Sequence, residues 1–134
     1  MTLVVGYAPT PQGEAALAAA GEEAILRGRA LVVVRAHRGE SRVDPEYPPT
    51  SGLAYALASL RNSGLHCEVR ELDRAEDVAE AIIAVADEVG AELVVIGLKR
   101  RSPVGKVLLG STAQRVLLGA RCPVLAVQEG HRRT

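Results

Sequence analysis

Three short runs of branched aliphatic residues constrain this chain more than any other feature: Leu3-Val4-Val5, Leu31 to Val34, and Leu93 to Ile96. Each is too apolar to be half exposed and too short to be a helix, so each reads as a strand buried on both faces. Such strands need helices to cover them, and the segments between them are built for that purpose. Apolar residues make up 48% of the chain but aromatics only 2%. The core must therefore be assembled from Val, Leu, Ile and Ala, which suits a parallel sheet under Ala-rich helices.

Thr2 to Tyr7 reads as the first strand. Thr10 and Pro11 then form a helix start, a capping hydroxyl followed by proline at the first helical position, and Gly28 ends that helix. Ala30 to Ala36 is a second strand, His37 to Pro49 a polar surface loop, and Ser51 to Asn62 a modest helix. Cys67 to Leu72 alternates like an edge strand. Asp77 opens the next helix with Glu80 as a capping-box partner, and Gly90 closes it. In that helix Val78, Ala81, Ile82, Val85, Ala86 and Val89 share a core face. Leu93 to Ile96 is the fourth strand, with Gly97 as its end. Ser111 and Gln114 suggest a further capping box on a helix to about Leu118, and Pro123 to Val127 is a fifth strand. Five strands alternating with four helices define a doubly wound α/β fold, a parallel sheet with helices on both faces. At 134 residues, one domain spans 1–134, with roughly 129–134 as a frayed basic tail.

Sixteen basic and sixteen acidic residues cancel, so net charge points to neither nucleic acid nor membrane. With no Trp or Phe and three Tyr, a base-stacking platform is not available. Cys67 and Cys122 form no CxxC pair and read as reduced thiols; with no signal peptide or spanning run, the expectation is a cytoplasmic protein. His37, His66 and His131 have no metal-ligand spacing, and no metal is expected. HExxH, GxSxG, GxGxxG and the Walker loop are absent; Gly105-Lys106 is followed by Val107. Asp73, Glu76 and Asp77 read as loop and cap residues rather than a catalytic carboxylate set, so no catalytic residue is assigned.

The segment from Gly97 to Thr112 carries the chemistry. A glycine closes a strand, Gly110-Ser111 opens a helix with outward-facing N–H groups, and Lys99, Arg100, Arg101, Lys106 and Arg115 lie between and beside them. No Asp or Glu occurs from Leu93 to Gln128. This pattern suits an anion, phosphate above all. The same features also serve as ordinary connection chemistry beside a solvated basic face.

The segment resembles the glycine signature of universal stress proteins, G-x2-G-x9-G-[S/T]. Gly97, Gly110 and Ser111 fall on its first glycine, its last glycine and its hydroxyl. The start VVGYAPTPQGEAAL and the end RCPVLAV are similar to the family's first strand and helix and its last strand. The resemblance implies strand order 3-2-1-4-5 and a homodimer joined through the last strand, here Val124 to Val127. It implies a role in stress survival. Some members bind ATP between the first and fourth strands, others bind no nucleotide, and weak ATP hydrolysis is known for some.

Carried to this sequence, an adenine nucleotide such as ATP would meet the backbone of Gly97, Gly110, Ser111 and Thr112. Lys99 and Arg100 would add charge, Ala8, Pro9 and Thr10 would line the opposite wall, and Ala36 would lie against the adenine. Two positions depart from the family. Arg100 stands at the middle glycine, where it either closes the backbone approach or supplies its own phosphate contact. Ala8 stands where nucleotide-binding members carry an acidic residue, which removes a metal ligand. The expectation is a stress-response module that binds a phosphate ligand; the alternative is a dimeric interaction protein without nucleotide.

Overall fold

The computed structural model describes residues 1–36, 51–73, 76–99 and 109–129. The loop expected at 37–49, the cations Arg100, Arg101 and Lys106, and the tail at 130–134 lie outside these residues. The elements follow the order β1 (Thr2–Tyr7), α1 (Pro11–Arg27), β2 (Ala30–Arg35), α2 (Ser51–Asn62), β3 (Cys67–Glu71), α3 (Val78–Val89), β4 (Ala91–Leu98), α4 (Ser111–Gly119) and β5 (Val124–Gln128). All strand pairs are parallel, and the sheet order is β3-β2-β1-β4-β5. This is the doubly wound fold read from the apolar runs, in the strand order that the family resemblance implied.

The alternation within each strand divides the core into two layers. Leu3, Val5 and Tyr7 of β1, with Leu31, Val33, Leu93 and Val95, face α1 and α2. Val4, Val32, Val34, Val94 and Ile96 face α3 and α4. β1 and its neighbours are buried on both sides, and each fully buried Val or Leu stabilises the fold by about 1.5–3 kcal/mol. α1 lies close to the sheet because its inner face is Ala16, Ala20 and Ala24 with Gly13 and Gly21.

Helix ends follow local chemistry. The Thr10 hydroxyl accepts from the Gly13 N–H at 3.0 Å, and Pro11 fills the first helical position. The Asp77 carboxylate accepts from the Glu80 N–H at 3.0 Å and caps α3. Gly28 and Gly90 close their helices at φ 64° and 63°, a left-handed conformation that costs glycine little. α4 departs from expectation. Its cap is Gly110, with no side-chain hydrogen bond, and the Ser111–Gln114 capping box does not form. The Gln114 N–H donates to the Gly110 carbonyl at 3.0 Å, so helical bonding already begins at Gly110 and Ser111 lies inside the first turn.

Candidate functional site

In a doubly wound sheet the strand whose neighbours are reached by crossovers in opposite directions opens a crevice at its carboxyl end. Here that strand is β1, between β2 and β4. A cavity of about 430 Å³ lies at this point, within the range of small-ligand sites. The ends of β1 and β4 supply Gly6, Tyr7, Ala8, Ile96 and Gly97, and the first turn of α1 with its cap supplies Thr10, Gln12 and Gly13. Glu76, Val78 and Ile82 stand on the α3 side, Thr112 and Ala113 on the α4 side, and Ala36 at the end of β2.

Of the residues singled out in the sequence, Ala8, Thr10, Ala36, Gly97 and Thr112 therefore meet around one cavity. Pro9, Lys99, Gly110 and Ser111 are exposed and do not line it, and Arg100 is outside the described residues. Gly110 caps the first turn of α4 and Ser111 opens it, while the next two residues of that turn, Thr112 and Ala113, line the cavity. The first-turn amides of α4 lack acceptors within the helix, as in any helix start.

Gly97 does not end its strand. β4 continues to Leu98, and Gly97 lies against the first turn of α1. A Cβ on residue 97 would lie 2.3 Å from the Gln12 carbonyl oxygen, and one on residue 13 would lie 1.9 Å from the Ala8 carbonyl oxygen. Two glycines thus let the first turn of α1 settle onto the strand ends.

Of the basic cradle read in the sequence, Lys99 and Arg115 are among the described residues and neither lines the cavity. Among the described lining residues the ionisable carboxyl is Glu76, whose Oε1 accepts from the Asp73 N–H at 3.2 Å. Arg115 does not point to the cavity as a free cation. Its guanidinium pairs with Asp77, and with Glu80 at 3.1 Å. The Glu80 N–H, and then Arg115, hold the Asp77 carboxyl below the usual carboxylate range. Two carboxylates on the neighbouring helix lie within reach of this one guanidinium, so charge-assisted hydrogen bonds hold it there.

Tyr7 carries a second polar contact. Its hydroxyl donates to the Glu14 carboxylate. Burial first, then Glu14, push the phenol well above its ordinary range, so it stays a neutral donor. Glu14 Oε1 would also lie 3.2 Å from a Cβ at Gly52 in the first turn of α2. Sequence reasoning passed over Tyr7, Gln12, Gly13 and Val78. Position beside a strand end or a helix start was the available signal. Among the described residues no group of three or more His, Cys, Asp or Glu is placed to hold a metal.

These features define a doubly wound α/β fold with its cavity at the switch point beside β1. The family model described as the Universal stress protein family matches residues 1–128, and the chain belongs to that family. A universal stress protein of Mycolicibacterium smegmatis is 41% identical over 126 residues, which cover 94% of this chain and 96% of that relative. Among solved structures, the universal stress protein from Archaeoglobus fulgidus in complex with dAMP is 32% identical, with a TM-score of 0.67 over 95% of this chain and 97% of that one. A universal stress protein in complex with cAMP is 26% identical, with a TM-score of 0.69 over 97% of this chain and 98% of that one.

Proposed function

We propose that this chain is a stress-response module that binds an adenine nucleotide in the cavity beside β1, without a metal ion and without turnover. The observation that carries this reading is a cavity of about 430 Å³ at the switch point, in a chain whose relatives were solved with dAMP and cAMP. The residues present fit such a ligand. Ala36, Val78, Ile82 and Ile96 offer apolar surface for a base, and the amides of Thr112 and Ala113 offer donors for a phosphate. Ala8 provides no carboxylate for a magnesium ion, which favours monophosphates over metal-bound ATP. Lys99, Gly110 and Ser111 flank this region rather than line it. Calorimetry with AMP, cAMP and ATP, each with and without magnesium, tests the reading. Monophosphate binding that is indifferent to magnesium is the expected result. No heat at millimolar ligand from folded protein would overturn it.

A second reading, a homodimeric interaction protein, draws on the two sheet edges. The β3 edge carries Glu68, Arg70 and Glu71, and the Cys67 carbonyl accepts from Arg61 at 2.9 Å. Such charges discourage strand pairing. β5 reads VLAVQ without a charge, and Leu125 is 37% exposed. Pairing of two copies along Val124–Val127 fits this asymmetry and is compatible with nucleotide binding. Among the described residues no helix is long and apolar enough to cross a membrane. Cys67 and Cys122 are free thiols, and burial raises both above the ordinary thiol range.

A further inference from the structure

Two of the helices that wall the cavity, α3 and α4, are tied across its lip by one side chain. Asp77 lies between Glu76 and Val78, both of which line the cavity, and Arg115 lies one turn along α4 from Thr112, which lines it from the other side. Arg115 Nη1 donates to Asp77 Oδ2, and Nη2 donates to Glu80 Oε1 at 3.1 Å. The Asp77 carboxylate therefore does two things at once: it caps α3 and it grips α4. On the opposite face of α4, Ala113 and Val116 are buried against the sheet. Between that apolar face and Arg115, the short helix is held on two sides.

We propose that Arg115 is a positioning residue whose ion pairs with Asp77 and Glu80 set the separation of the α3 and α4 lips, and through it the affinity of the cavity for an adenine nucleotide. This rests on the nucleotide reading above. Helix N–H groups bind phosphate only from hydrogen-bond distance, so a small drift of α4 removes that contact while leaving the fold in place. Exposed ion pairs add little to global stability, which separates the effect on the site from an effect on folding. The guanidinium fork suits this place, because its two Nη groups are fixed in one plane and each meets a different carboxylate on one helix turn.

The test compares Arg115→Gln, Arg115→Lys, Asp77→Asn and the double variant Arg115→Gln/Asp77→Asn with the unaltered chain. Asparagine keeps the cap of α3 and removes the charge. AMP affinity is read by calorimetry, and the amide resonances of Thr112 and Ala113 are read without nucleotide. Arg115→Gln and Asp77→Asn are each expected to weaken AMP by about 3- to 10-fold. The double variant loses no more than Arg115→Gln alone, and Arg115→Lys recovers part of the loss. The Thr112 and Ala113 amides shift, while Leu3 and Val95 in the sheet do not. Wild-type affinity and unshifted amides in Arg115→Gln would overturn the proposal. So would additive losses in the double variant, which would mean that Arg115 acts on the phosphate directly. Should the unaltered chain bind no AMP, the nucleotide reading fails while the amide shifts still decide whether Arg115 positions α4.

Discussion

The carbonyl oxygen of Gln12 lies so close to the α-carbon of Gly97 that a methyl group there would stand 2.3 Å from it. The first glycine of the family's signature is therefore occupied, in this chain, with seating α1 on β4. The last glycine is different: a methyl group at Gly110 would meet nothing within 4 Å, at a φ of −66° that any residue adopts.

Gly97→Ala should destabilise the ligand-free protein by at least about 2 kcal/mol, because the clash is with backbone and cannot be relieved by a rotamer. Gly110→Ala should cost less than about 1 kcal/mol, the difference between glycine and alanine at a helix cap. Urea denaturation of both variants without nucleotide checks this. Equal, small losses would show that the Gln12 contact does not restrain residue 97.

Thr10→Ala should remove about 1 kcal/mol by leaving the Gly13 N–H without its acceptor, and Thr10→Ser should retain most of it. Denaturation midpoints of the two variants provide the comparison. Indistinguishable midpoints would argue against the cap.

Tyr7 should resist ionisation. Its folded pKa is raised, so its contribution to stability is complete below the ordinary phenol pKa of about 10 and is lost as pH rises through the higher folded value. Ultraviolet titration should show one tyrosine that stays silent across the ordinary phenol range, and Tyr7→Phe should remove that silent residue. Normal titration of Tyr7 would contradict its burial against Glu14.

Glu92 accepts from Arg27 at 2.7 Å and pairs with Arg29 at 3.0 Å, and Arg27 first, aided by Arg29, holds its carboxyl below the usual range. A depressed carboxyl contributes stability above its unfolded pKa and loses it as pH falls through the folded one. The acid limb of stability should be less steep in Glu92→Gln, and less steep again in high salt, since the cluster lies at the surface. Superimposable acid limbs would dismiss the contribution.

Leu125→Lys should leave the monomer folded, since Leu125 is 37% exposed on the edge strand, and should shift any dimer toward monomer. Sedimentation at matched concentration measures this. Unaltered sedimentation of a dimer would move its interface away from β5.

The sequence by itself determined the strands and helices and most of their ends. Buried runs such as Leu31–Val34 have one stable environment, and Thr10, Asp77, Gly28 and Gly90 act on neighbours in the chain. The family resemblance carried the strand order as well. Tertiary structure decided what lies across the cavity from what. Gly97 looked like a strand end, because its partner, the Gln12 carbonyl, is distant in sequence and is brought near by α1. Arg115 read as part of the basic segment beside the helix start, because Asp77 and Glu80 belong to another helix. Ser111 looked like a cap, because a hydroxyl beside a helix start is ambiguous until the first hydrogen bond, from Gln114 to Gly110, is placed. Local chemistry is written in consecutive residues, whereas a contact between segments depends on the distance to which packing brings them, and that distance has no signature in the chain.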